Sequence, residues 1–195
     1  MMWRSFALLI LMGSLYACAT IPSTGIQSPT PSQHQLVVVD IDGTLTPEPM
    51  DVGKARPGAA DALRAFAQKG YKVIYITART PLFQSGLQDW LHQNHFPDGP
   101  LHVAQNSQER DDVAGFKARI LETYAKAGWD LSYAYGDSST DFEAYAKAGI
   151  HPTHVFALKR RGSPTCQCCI FNACLDGWET QLGYIGSQPK ARRAY

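Results

Sequence analysis

The chain has 195 residues, 45% of them apolar and 11% aromatic, with 18 basic against 17 acidic side chains and a formal charge of +1. That composition excludes a disordered chain, and the near-neutral balance argues against a nucleic-acid binder, which carries a basic excess. The length suits one domain with its own core, and no internal apolar run is long enough to cross a bilayer.

Met1 to Ala19 reads as a leader. Arg4 precedes an apolar stretch from Phe6 to Leu15, too short for a membrane anchor and suited to a signal-peptide core. The stretch ends in Leu15-Tyr16-Ala17-Cys18, which resembles a bacterial lipobox, where the cysteine is acylated and becomes the first mature residue. Cleavage at the small-x-small site Ala17-Cys18-Ala19 is the alternative. The lipobox reading makes residues 1–17 a signal peptide and puts a lipid on Cys18. It places the protein in a bacterial cell envelope, with Ala19 pointing to an outer-membrane anchor facing the periplasm. Residues 18–35, rich in Ser, Thr, Pro and Gln, are predicted to be a flexible tether.

Strands and helices then alternate. Leu36–Asp40, Lys72–Thr77, Leu101–Ala104, Leu131–Tyr135 and His154–Leu158 read as buried strands. Pro57–Lys69, Phe83–His95, Gly115–Ala127 and Thr140–Lys147 read as helices, several closed by glycine. Strands alternating with helices predict an α/β fold of three layers, with a parallel sheet of about five strands. In such sheets the functional site lies beyond the C-terminal strand ends.

The chemistry-bearing residues fall at those ends. The first strand runs into Asp40-Ile41-Asp42-Gly43-Thr44, where two carboxylates share one side of an extended backbone. Gly43 permits close backbone approach to a ligand and Thr44 adds a hydroxyl. The second strand ends in Thr77-Ala78, where a hydroxyl would hold a phosphoryl oxygen or cap a helix. Lys117 lies in a helix. The fourth strand ends in Gly136-Asp137, with Asp141 one helical turn on. That pair would converge on a hard cation, or one member would cap the helix.

DxDGT, a strand-terminal Thr, a Lys and DxxxD, in that order, resemble the haloacid dehalogenase (HAD) superfamily of phosphatases over Leu36 to Gly162. The resemblance implies a Rossmann-like HAD fold and specific roles. Asp40 would be the nucleophile that forms an aspartyl-phosphate. Asp42 would protonate the leaving oxygen and then activate water. Gly43, Thr44, Thr77, Ala78 and Lys117 would bind the phosphate. Asp40, Asp137 and the backbone carbonyl of Asp42 would hold Mg²⁺, supported by Asp141. The segments GYKVIYITART (70–80), FPDGPLHVAQ (96–105), FKARILETYA (116–125) and DFEAYAKAGIHPTHVFALKRRG (141–162) resemble the lipin catalytic domain and the related C-terminal domain of phosphatidylinositol-transfer proteins. Lipins are Mg²⁺-dependent phosphatidate phosphatases, and the transfer-protein domains bind phosphatidic acid. Residue 137 is Asp, where lipins are expected to carry Asn followed by Arg.

The gaps between Asp42 and the second strand, and between Thr80 and Lys117, are too short for a cap domain, since domains need ~50 residues or more. An open site suits a phospholipid headgroup at a membrane, and Lys54, Arg56, Lys159, Arg160 and Arg161 are candidates to meet it. Residues 163–195 form a Cys-containing extension. Cys166, Cys168, Cys169 and Cys174 are expected to form two disulfides in an oxidising envelope, with a zinc site as the alternative. Gly177–Ile185 is expected to be a short helix near the site, and Lys190–Arg193 to be frayed. Three functions stand: a Mg²⁺-dependent phosphatase of phosphatidate or a related lipid, an envelope acid phosphatase for soluble phosphomonoesters, and a phosphatidic-acid-binding module without turnover.

Overall fold

The computed structural model of the chain describes residues 20–48, 51 and 53–192. The leader and Cys18 lie outside the described residues.

The sheet is parallel throughout. Its strands are β1 (Gln35–Asp40), β2 (Lys72–Thr77), β3 (Leu101–Val103), β4 (Asp130–Gly136), β5 (Val155–Leu158) and β6 (Ala173–Leu175), in the order β3-β2-β1-β4-β5-β6. One strand more than expected is present, because Ala173–Leu175 in the Cys-containing extension pairs with β5. The helices are α1 (Ala59–Gln68), α2 (Leu87–Gln93), α3 (Ser107–Asp111), α4 (Val113–Lys126), α5 (Ser139–Lys147) and α6 (Gln181–Ser187).

The β-branched run of β1 shows why the sheet is central. Every β1 residue is buried, and successive side chains point to opposite faces. Val37 and Val39 enter a core with Leu63 and Phe66 of α1 and Leu91 of α2. Leu36 and Val38 enter a second core with Phe116 and Leu121 of α4 and Phe142 of α5. These are the three layers expected of the HAD fold. The chain leaves β1 toward β2 and β3, then crosses back to pair β4 on the other side of β1. That reversal opens a crevice at the C-terminal ends of β1 and β4.

Both ends of the chain depart from expectation. Residues 20–34 were expected to be a free tether but are strapped to the domain. Thr24 N donates to Leu101 O at 2.9 Å, Val103 N donates to Ser23 Oγ at 3.1 Å, and Trp129 Nε1 donates to Gln27 O at 2.8 Å. Backbone and hydroxyl groups satisfy the exposed edge of β3, which needs no apolar sequence. The extension is likewise part of the core. Trp178 is fully buried and stacks on Tyr135 with ring centroids 4.6 Å apart. The C-terminal helix α6 packs against α1 through Ile185 instead of beside the site. Residues 190–192 are tied down, since Ala191 N donates to Lys69 O at 2.8 Å and Arg192 N to Gln35 Oε1 at 2.6 Å.

Candidate active site

Strand β1 ends by pushing Asp40 into the crevice. Its carboxylate is buried, and Lys117 Nζ, reaching in from α4, donates to Oδ1 at 2.5 Å. The other oxygen, Oδ2, is buried with no hydrogen-bond partner among the described residues. Such an orphan is costly unless a ligand fills its place. Lys117 also donates to Asp141 Oδ1 at 2.5 Å. The lysine expected to bind phosphate therefore cross-braces two carboxylates.

Two residues on, Asp42 turns to the end of β2. Thr77 Oγ1 donates to Asp42 Oδ2 at 2.5 Å. Arg79 forks onto the same carboxylate, with Nη2 to Oδ1 at 2.6 Å and Nε to Oδ1 at 3.0 Å. Thr77, expected to hold a phosphoryl oxygen, thus spends its hydroxyl on Asp42 and accepts from Arg79 N at 3.0 Å. The Asp42 side chain stands apart from the carboxylate group of Asp40, Asp137 and Asp141. Arg79 was not singled out in the sequence. Neither was Gln84, fully buried, whose Nε2 donates to Arg79 O at 2.7 Å and Ala104 O at 3.0 Å.

Strand β4 supplies the third wall. Asp137 leaves it buried, and Arg160 Nε, from beyond β5, donates to Asp137 Oδ2. Asp141 is both site residue and cap. Its Oδ2 accepts from Ser138 N at 3.0 Å and Ser138 Oγ at 2.8 Å, closing a capping box on α5. Gly43 has φ +86°, and a Cβ there would overlap the Asp137 carboxylate. Glycine is required at that position by conformation and by contact.

The crevice is a pocket of about 480 Å³ whose walls include Asp40, Asp42, Thr77, Ala78, Arg79, Lys117, Asp137 and Arg160. Gly43 and Thr44 do not line it. Thr44 lies beneath, its hydroxyl buried without a partner among the described residues and its carbonyl accepting from Trp178 Nε1 at 3.0 Å. Burial, opposed by Lys117, and then the charges of Asp141 and Asp137 push the Asp40 carboxyl well above its ordinary range. Burial and Asp141 push Asp137 up to about 6, against the pull of Arg160. Burial alone would lower the Lys117 ammonium, but Asp141 and Asp40 outweigh it and raise the group.

One carboxylate oxygen each from Asp40, Asp137 and Asp141 lie within 4.8 Å of one another, the one such cluster of ligating side chains among the described residues. Buried, crowded carboxylates with an unpartnered oxygen fit a hard divalent cation with oxygen ligands. No cysteine belongs to a comparable group among the described residues. The two expected disulfides reduce to one, Cys166–Cys174, and Cys168 and Cys169 are free and exposed. Among the described residues, the adjacent pair on one exposed loop has no third cysteine left to reach. The loop matters to the site, because Gln167 Oε1 accepts from Ser139 N at 2.9 Å and lines the pocket.

The basic residues expected to meet a headgroup are mostly committed elsewhere. Arg56 donates to the carbonyls of Gly43 at 2.7 Å, Thr46 at 3.1 Å and Lys159 at 2.5 Å, so it pins the DxDGT loop. Lys54 faces Asp51 at 3.9 Å, Lys159 pairs with Asp176 at 2.7 Å, and Arg161 pairs with Asp51 at 2.9 Å. Arg160 alone of the five lines the crevice between β1 and β4.

Comparison with known proteins places this arrangement. The family model for the LNS2 domain of PITM 1-3 matches residues 37–159. Protein retinal degeneration B of Drosophila melanogaster is 32% identical over 136 residues, which cover 68% of this chain and 11% of that protein. Membrane-associated phosphatidylinositol transfer protein 2 of Mus musculus is 28% identical over 170 residues, or 84% of this chain and 12% of that protein. The chain thus spans about an eighth or less of these relatives' lengths. Among solved structures, D,D-heptose 1,7-bisphosphate phosphatase from B. bronchiseptica, complexed with magnesium and phosphate, superposes with a TM-score of 0.51 at 18% identity, covering 83% of this chain and 92% of that one. A Mesorhizobium loti protein assigned as a HAD-like phosphatase gives 0.56 at 16% identity, covering 84% and 88%. The match over the strands that carry the carboxylates, joined to that shared fold, makes this chain a member of the LNS2 domain family, built on the HAD-type phosphatase fold.

Proposed function

We propose that the chain is a Mg²⁺-dependent phosphatase that hydrolyses a phosphomonoester through an aspartyl-phosphate on Asp40, and that its substrate is phosphatidate or a related lipid phosphate at a membrane. The observation that carries the reading is the unpartnered Asp40 Oδ2 in a crevice that also holds Asp42, Asp137 and Lys117. We propose further that an acylated Cys18 anchors the chain to the outer membrane of a bacterial envelope, facing the periplasm.

The residues divide the work as follows. Lys117 holds Asp40 by one oxygen and leaves the other to attack phosphorus as the ester P–O bond breaks. Asp42, as general acid, passes a proton to the departing ester oxygen. Asp42 then takes a proton from water as the water oxygen attacks phosphorus. The acyl phosphate bond breaks, releasing inorganic phosphate and the Asp40 carboxylate. Arg79 and Thr77 hold Asp42 in place between these steps. A magnesium ion held by Asp40, Asp137, Asp141 and the backbone carbonyl of Asp42 would offset the repulsion between carboxylate and phosphate. Lys117 offsets the rest.

One observation favours binding without turnover: both oxygens of Asp42 are already engaged, by Arg79 and Thr77. The name of the mouse relative, a membrane-associated phosphatidylinositol transfer protein, points the same way. Phosphate release from phosphatidate vesicles and from soluble esters, with and without Mg²⁺, separates the readings. The lipid phosphatase turns over the vesicles faster and needs the metal. Faster hydrolysis of nucleotides would replace it with the soluble-ester enzyme. Vesicle binding with no release would replace it with the binding module.

A further inference from the structure

The turn that leaves β2 carries Arg79 onto Asp42, yet little of that turn is packed. Thr80 is exposed, and Pro81–Phe83 buries none of its side chains. Apolar packing therefore does not set where the turn lies. Polar bonds do. Arg79 N donates to Thr77 Oγ1 at 3.0 Å, and Arg79 Nη1 donates to Phe83 O at 3.3 Å. Gln84, fully buried, closes the loop, with Nε2 donating to Arg79 O at 2.7 Å.

The second hydrogen of Nε2 goes to Ala104 O at 3.0 Å, just past β3, and Oε1 accepts from Ile21 N at 3.1 Å. One amide thus ties the Arg79 turn to the end of β3 and to the N-terminal strap. The position needs two donors and an acceptor, which neither glutamate nor methionine offers together. The strap end is fixed on its own account, since Gln105 Nε2 donates to Ile21 O at 3.0 Å and Val103 N donates to Ser23 Oγ at 3.1 Å. Phe83 precedes Gln84 in the chain, so the amide steadies both carbonyls that support the arginine, that of Arg79 directly and that of Phe83 through the backbone. Without it, Arg79 O, Ala104 O and Ile21 N each lose a partner, a cost that favours movement of the turn.

We propose that Gln84 is a positioning residue for the acid–base group: held by the strap at Ile21, it fixes the Arg79 turn and so keeps the Asp42 carboxylate where the ester oxygen departs. The proposal rests on the reading of Asp42 as general acid and base. It adds that the N-terminal strap supports the site through a side chain that does not line the pocket.

The test uses the full chain and two soluble esters. The leaving group of p-nitrophenyl phosphate needs little help from an acid, whereas the alkoxide of glycerol phosphate needs a proton. The quantity compared is kcat/KM, which covers the steps up to the aspartyl-phosphate. Gln84→Met should lower it for glycerol phosphate by roughly tenfold or more beyond any fall for the aryl ester. Ile21→Pro, which removes the N–H, should move the ratio of the two esters in the same direction, and Ile21→Val, which keeps the N–H, should return the parent's ratio. Should Gln84→Met fail to fold, Ile21→Pro decides by that ratio. Amide hydrogen exchange at residues 20–24 and 78–80 should be about fivefold faster or more in the variant than in its parent. Equal falls for the two esters, unchanged exchange, or a parent that cleaves the aryl ester alone overturns the proposal. Hydrolysis of both esters in a ratio that neither variant moves keeps the phosphatase and refutes the positioning role. Faster exchange in a chain that hydrolyses neither ester refutes the phosphatase reading and leaves Gln84 as the tie between strap and turn.

Discussion

Lys117→Met probes the electrostatic centre of the site. The ammonium is buried and touches Asp40 and Asp141 at 2.5 Å each. At an effective dielectric of about 20, each contact represents a gross attraction of about 7 kcal/mol. Most of that is offset by the cost of taking three charges out of water, so the net effect is smaller. Methionine fills similar volume but leaves both carboxylates buried without a cation, a change that costs about 3–5 kcal/mol when one partner of a buried pair is removed. Urea unfolding at neutral pH in chelator should show a loss of that size. Magnesium should return part of it, about 2.7 kcal/mol at a concentration one hundred times its dissociation constant, because a ligand of the folded chain alone stabilises by mass action. A loss below about 1 kcal/mol in chelator would mean that the cross-brace is not what keeps these carboxylates together.

Three further outcomes follow from other parts of the structure. Gly43→Ala forces a left-handed residue to carry a Cβ against Asp137, so calorimetry should find magnesium affinity lower by on the order of tenfold; unchanged affinity would remove Asp137 from the cation site. Burial pushes the His102 imidazole down to about 4, whereas an unfolded chain takes up that proton near pH 6.5. The neutral ring's contribution is therefore complete above pH 6.5 and is lost as pH falls toward 4, by about 3 kcal/mol. His102→Gln should flatten the acid limb of stability, and identical limbs would contradict this. Cys166→Ser with Cys174→Ser opens a loop of sequence separation 8 and should cost about 2–3 kcal/mol in urea unfolding. Reductant should then have no further effect, and a variant as stable as its parent would deny the bridge a stabilising role.

Legibility in the sequence followed the range of the interactions. The DxDGT motif could be read because Asp40, Asp42 and Gly43 stand together at one strand end, and β1 announces itself through an unbroken β-branched run. Asp141 as a cap was equally local, since Ser138 and Asp141 stand three apart in a capping box. Arg79 could not be assigned a role, because its partner Asp42 is 37 positions away and an arginine after a strand has no local signature. Gln84 reaches 63 positions back to Ile21. The strap read as a tether because its composition cannot form a core, yet it is held by backbone bonds to an open strand edge, which composition does not report. The sixth strand, only three residues long, lies in a cysteine-rich segment where pairing with β5 decides the structure and local pattern does not.

In the proposed reaction Asp40 is the group that receives the phosphoryl unit. Phosphatidate carrying a labelled phosphate, mixed with the chain and magnesium and quenched in acid within the first turnover, tests this directly after digestion and mass spectrometry. The label should appear on the peptide that contains Asp40. Asp40→Asn should show neither labelled peptide nor phosphate release. Label on another residue, or turnover that persists in Asp40→Asn, would contradict it.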